Sequence, residues 1–188
     1  MRFVFSPPVE AAADLVTLLW DTPLSQWTGD RIVEILQPGR SRHVVRFVAE
    51  AGRVFAVKEL PEQPARREYE VLRRLQELGI PAVEVIGVVV DRPGDQEAVL
   101  VTRFLDYSSS FLALFANPRG VQLIDRVMNA QVELLVRLHL AGIVWGDCSL
   151  ANTLFRFDAG TLAAWPRTST RLSRRPTWWR VTSSCGRS

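Results

Sequence analysis

Two kinds of apolar spacing divide the chain. Leu15, Leu18 and Leu19, then Trp27, Ile32, Ile35 and Leu36, recur at helical intervals and predict a helical N-terminal extension. From His43 the period changes to two. "HVVRFVAEAGRVFAVKEL" predicts two strands around a turn at Glu50-Ala51-Gly52-Arg53, and "QPGRSR" before it is a turn into the first strand. The period then returns to helical in "PARREYEVLRRLQELG", with Tyr69, Leu72, Leu75 and Leu78 on one face, Pro64 near its start and Gly79 past its end.

"PAVEVIGVVVD" and "EAVLVTRFL" predict two more strands joined by the turn "DRPGDQ". A short helix is expected at "SSSFLALFA". A long one follows at "GVQLIDRVMNAQVELLVRLHLAG", with Ile124, Val127, Met128, Gln131, Leu134, Leu135 and Leu138 along a stripe and Gly142 as its stop. "TLFRF" and "TLAAW" read as a hairpin around Asp158-Ala159-Gly160. Strands, helix, strands, helices, polar loop and hairpin make an α+β layout. After residue 165 neither period persists, and 166–188 reads as a disordered basic tail.

Composition changes this picture in four places. The 188 residues allow one domain or two small lobes. Two cysteines, Cys148 and Cys185, make no disulfide framework, and no run reaches the length of a membrane span, so a soluble, cytoplasmic chain is expected. The net charge of +3 is unevenly placed: residues 166–188 hold six of the 23 Lys+Arg and none of the 20 Asp+Glu, leaving the body at −3. The basic balance therefore belongs to the tail and does not mark the body as a specific nucleic-acid binder. Finally, Lys58 is the single lysine beside 22 arginines: either it sits where arginine does not serve, or it is a chance survivor of an arginine-biased composition.

The loop "VWGDCSLANTLF" carries the chemistry. Asp147 is placed to take a proton from an attacking hydroxyl, and Asn152 offers a neutral carbonyl oxygen suited to Mg²⁺ beside phosphates. A carboxylate for the acceptor and an amide for the metal, on one loop between helix and hairpin, is what phosphoryl transfer uses. Lys58, at the end of a strand, supplies a point charge for phosphate oxygens; Glu68 on the next helix is its partner, with Glu70 as the competitor. The blander expectations are that His139 is a core histidine, that Cys148 is a small packing residue, that Trp145 packs under the loop, and that His43 is a solvated strand residue.

With these residues in place, the chain resembles the protein-kinase-like fold. "VFAVKEL" resembles its nucleotide-lysine strand, "REYEVLRRL" the helix bearing the carboxylate partner, "AVLVTRFL" the hinge, and "LVRLHLAGIVWGDCSLANTLF" the catalytic loop with its helix. Within that fold it resembles the lipopolysaccharide-kinase-like group, and more closely an actinobacterial family of uncharacterised domains with the signature "LHLAGxxWGDCSLxNTLF". The resemblance implies two lobes: a helical extension 1–38, an N-lobe 39–104 with an antiparallel sheet, and an incomplete helical C-lobe 105–165, ahead of the tail 166–188. It implies ATP and Mg²⁺ as cofactors and an unknown acceptor as partner, with Asp147 catalytic, Asn152 on the metal, and Lys58, Glu68, Arg40 and Ser41 around the nucleotide.

The chain departs from the pattern at three points. Trp145-Gly146 replaces the His-Arg of protein kinases. "PGRSRHVVRF" holds one glycine where a glycine-rich loop is expected, leaving Arg40, Ser41, Arg42 and His43 to meet phosphate. No acid follows Asp158, where the family has a metal-binding "Val-Asp-Ala". Thr168-Ser169-Thr170-Arg171 can be encoded ACG-TCG-ACG-CGN, and one frame over the same bases read Val-Asp-Ala, so a frameshift is the expected cause. The expected function is then an ATP-dependent phosphotransferase impaired by loss of this Asp. The alternative is a pseudokinase that holds nucleotide or a partner without turnover. A third reading, a basic-tailed nucleic-acid binder, rests on the tail alone.

Overall fold

Alternation along the central strands sorts their side chains into two apolar layers, one on each face of a sheet. The computed structural model describes residues 1–5, 15–35, 43–116, 122–146, 148, 152–166 and 172–174. Among them, six antiparallel strands form the main sheet in the order β1-β5-β6-β4-β3-β2. These are β1 (Arg2–Phe5), β2 (Ile32–Val33), β3 (Val45–Glu50), β4 (Arg53–Leu60), β5 (Val85–Val90) and β6 (Ala98–Arg103). The β3–β4 turn closes with Glu50 opposite Arg53, and both central residues, Ala51 and Gly52, have positive φ. That is the two-residue turn whose twist matches a hairpin.

On β4, Phe55 and Val57 face one layer, while Lys58 and Leu60 belong to a differently facing set; Leu60 lies in the larger core. β6 divides likewise, with Val99 and Val101 on one side and Ala98 and Leu100 on the other. β5 carries a bulge between Val85 and Gly87. The extra residue resets the alternation, so that Val88 and Val90 rejoin Val85 in the larger core while Ile86 and Val89 face the opposite layer.

The larger core is one continuous cluster. It joins the sheet to α1 (Glu62–Glu77), through Ala65, Tyr69, Leu72 and Leu75, and to α3 (Ile124–Leu140), through Val127, Ala130, Leu134 and Leu138. Ile143 and Trp145 of β8 (Ile143–Trp145), Phe155 of β9 (Thr153–Asp158), and Leu162 and Ala164 of β10 (Thr161–Pro166) complete it. Trp145 packs as expected. β9 pairs with β10 and with β7 (Ser108–Ser110). Ser110 also caps the short α2 (Phe111–Phe115), its hydroxyl accepting from the Ala113 amide at 3.2 Å. The polar serine run gave no strand signal; β7 exists because β9 offers it an edge.

From Leu24 on, the N-terminal segment corrects the helical reading, whereas residues 6–14 of the first expected helix lie outside the described residues. Ile32 and Val33 form an edge strand opposite Val48 and Phe47, Leu24–Gln26 is a single 3₁₀ turn, and β1 pairs with β5 at the other edge. Gly29, at φ 123°, sits where an L side chain is strained, which ends any helix there. Leu15, Trp20, Leu24 and Trp27 instead cover the sheet's outer face over Val48, Phe55, Val57, Val99 and Val101. Trp20 and Trp27 meet edge to face at 5.2 Å. This cover is fastened by Arg92. Its buried guanidinium donates to the carbonyls of Trp20 (2.9 Å), Thr22 (2.6 Å) and Glu97 (2.8 Å), and to the Glu59 carboxylate (2.6 Å).

On α3 the predicted stripe splits. Val127, Gln131, Leu134 and Leu138 are buried, but Ile124 and Met128 are exposed. They head a ridge at four-residue spacing, Ile124-Met128-Val132-Val136-Leu140, that faces away from the core. His139 is on the exposed side of the helix's last turn, not in the core. In the tail, Leu172–Arg174 forms β11, antiparallel to β8, which lack of periodicity had hidden; the rest of 167–188 lies outside the described residues. No helix of the described residues is long and apolar enough to cross a membrane.

Candidate active site

Lys58 is held in the middle of the main sheet, opposite Val45 of β3 and Leu100 of β6. Two residues before Leu60, its side chain leaves the sheet on the α1 side. There Lys58 Nζ donates to Glu68 Oε2 at 2.8 Å. Glu68 sits among Ala65, Tyr69 and Leu72 on the buried face of α1 and is 3% exposed. The Lys58 side chain keeps 19% of its surface. The pair is therefore anchored at its acidic end and open at its basic end. Glu70, one step round the helix, is exposed and does not compete. The amphipathic spacing decided this: the four-residue step from Glu68 to Leu72 carries the carboxylate inward.

The loop between β8 and β9 is fixed at both ends by the same core. Trp145 is buried immediately before it and Thr153 immediately after. Asn152 stands half-buried at the mouth of β9. Inside the loop, Cys148 is exposed, which corrects the expectation of a packing residue. Gln131 of α3 donates from Nε2 to Cys148 Sγ at 3.1 Å. Gln131 was read as part of an apolar stripe. A polar residue at a core position of such a stripe is the signal that marks it, since a buried amide needs a partner.

The expected site is brought together in part. Lys58 and Glu68 are joined, and the strand, helix and loop ends that carry them share one core with Asn152's strand. Asp147, Arg40, Ser41 and Arg42 lie outside the described residues. His43 is half-buried just ahead of β3.

A half-open ammonium held by a buried carboxylate suits anionic oxygen ligands, because the lysine is oriented without being neutralised by full enclosure. Among the described residues, no group of three His, Cys, Asp or Glu side chains forms a metal cage. Mg²⁺ in phosphate-transfer sites does not need one; one or two protein oxygens plus phosphates and water suffice. The amide oxygen of Asn152 is of the right kind.

Comparison with known proteins agrees with this layout. No curated protein sequence matches the chain. Among solved structures the fold is similar to that of "WaaP in complex with acyl carrier protein", at a TM-score of 0.62 and 19% identity, over 96% of this chain and 77% of that one. That likeness is one of fold. The model of the lipopolysaccharide kinase (Kdo/WaaP) family matches residues 39–175, well over half the chain. On that match, this kinase-like protein belongs to the lipopolysaccharide kinase (Kdo/WaaP) family.

Proposed function

We propose that the chain binds ATP with Mg²⁺ and is built to transfer a phosphoryl group to a hydroxyl acceptor. The observation that carries this reading is the Lys58–Glu68 pair, at 2.8 Å, buried at the carboxylate and open at the ammonium. Lys58 contacts phosphate oxygens and Glu68 orients it. Asp147 holds the acceptor hydroxyl and takes its proton, and Asn152 gives one oxygen to the metal. Arg40 and Ser41 stand at the phosphates in place of a glycine-rich loop. The family's name points to a sugar hydroxyl as the acceptor.

The metal side is weaker than the nucleotide side. No Asp or Glu follows Asp158, so Asn152 and the phosphates carry the metal with no carboxylate from beyond the β9–β10 hairpin. Catalysis of this reaction is mainly charge neutralisation and positioning. Turnover is therefore impaired, and a shift of frame near Thr168–Arg171 accounts for the loss. The same observation favours a second reading, a pseudokinase that binds nucleotide without turnover.

A thermal-shift titration with ATP, with and without Mg²⁺, combined with an ADP-release assay, tests both. Metal-dependent stabilisation with slow turnover supports the impaired phosphotransferase. Metal-independent stabilisation without turnover supports the pseudokinase. No stabilisation by ATP in either condition overturns both.

A further inference from the structure

Cys148 is placed for chemistry that phosphoryl transfer does not use. It is exposed, yet its sulfur is held from beneath by a group that is not. Gln131 is 6% exposed, and its Nε2 donates to Cys148 Sγ at 3.1 Å. The other end of the same amide, Oε1, is buried and has no hydrogen-bond partner among the described residues. The amide thus gives one hydrogen bond to sulfur and keeps its own acceptor unmet. A hydroxyl carried on the sulfur is a stronger donor than the thiol S–H and reaches further from it.

We propose that Cys148 is an oxidation site whose sulfenic acid is held by Gln131. The oxidant is a hydroperoxide, of which hydrogen peroxide is the simplest. The sulfur attacks one peroxide oxygen; the S–O bond forms as the O–O bond breaks. Sulfur loses two electrons, the leaving oxygen gains them, and with the thiol proton it departs as water. The product, Cys–S–O–H, carries the hydroxyl donor that Gln131 Oε1 lacks, while Nε2 continues to donate to the modified group. A sulfenic acid held on both sides is slowed in its further reaction to the sulfinic acid or with a second thiol. Exposure admits the peroxide, and the buried amide, fixed on α3 between Val127 and Leu134, retains the product. The proposal does not depend on the phosphotransfer reading.

The chain supplies its own reference in Cys185. The full-length protein is treated with hydrogen peroxide in the presence of dimedone, which traps sulfenic acids, and adduct occupancy at the two cysteines is read by peptide mass spectrometry. Folded protein should show at least about five-fold more adduct at Cys148 than at Cys185, and the ratio should fall to about one in concentrated urea. Gln131→Leu, with an unchanged circular-dichroism spectrum, should lower Cys148 sulfenic occupancy at least about three-fold and raise sulfinic acid in its place. Equal labelling of the two cysteines in the folded protein overturns the proposal. So does a selectivity that survives urea, or a folded Gln131→Leu protein with unchanged occupancy. Should that variant misfold, the folded-to-unfolded ratio of the wild-type chain decides alone.

Discussion

Removing either member of the Lys58–Glu68 pair should destabilise the protein, and by unequal amounts. At 2.8 Å, the gross attraction between the two charges is about 6 kcal/mol at an effective dielectric of 20. Most of that is offset by the cost of taking both groups out of water. The offset is not symmetrical, because Glu68 is 3% exposed while Lys58 keeps 19% of its side-chain surface. Lys58→Met takes the cation from a carboxylate that stays buried beside Tyr69 and Leu72, a loss of about 3 kcal/mol. Glu68→Gln leaves an ammonium that turns outward to water, a loss of about 1 kcal/mol. Urea unfolding followed by tryptophan fluorescence measures both, and the double variant closes the cycle. The double variant should cost about 1–2 kcal/mol less than the sum, since with both charges removed neither is left stranded. A Glu68→Gln loss larger than that of Lys58→Met, or strictly additive losses, would refute the claim that the pair is buried at one end and open at the other.

Other expectations follow from the same structure. Arg92→Met removes four hydrogen bonds, two of them to the N-terminal cover, so stability should fall by about 3 kcal/mol; Arg92→Lys should rescue little, because an ammonium cannot reproduce the guanidinium fork. Val132→Glu with Val136→Glu, on the exposed ridge of α3, should reduce self-association by sedimentation without lowering the unfolding midpoint, since neither residue is in the core. Asp147→Asn should abolish whatever phosphoryl transfer is detected while leaving ATP-induced stabilisation intact; loss of both would remove Asp147 from the acceptor role. Codons other than ACG-TCG-ACG-CGN at Thr168–Arg171 in the coding DNA would dispose of the frameshift account.

Much of the fold was legible because its elements announce their burial by period. β3 and β4 alternate, β5 and β6 are short apolar runs buried on both faces, and α1 and α3 repeat at helical spacing, so their existence follows from which side chains must leave water. Glu68 was preferred over Glu70 on the same ground. The misreadings share a cause. Trp27, Ile32 and Ile35 recur at intervals that also fit a helix, but Trp27 plugs onto the sheet, Gly29 breaks the repeat, and Ile32 joins an edge strand. Ser108–Ser110 is a strand by partnership with β9 rather than by its own side chains. Ile124 and Met128 fit the α3 stripe as well as Val127 does, and about 60–100° of helical phase separates covered from bare. For the candidate site, side-chain chemistry at fixed spacing singles out Lys58, Asp147 and Asn152. Gln131 was marked only as a polar residue in an apolar stripe; its partner, on a loop 17 residues away in sequence, was not legible.

The family model begins at residue 39, but the sheet it describes is not finished there. Phe55 and Val57 share a strand with Lys58, and their apolar surface is sealed by residues that precede that boundary. Trimming the protein to the recognisable domain would lay bare a hydrophobic wall on the reverse of the lysine strand. Residues 15–35 are thus the back plate against which the lysine strand is braced, and edits made there would be felt at Lys58 without any of them touching it.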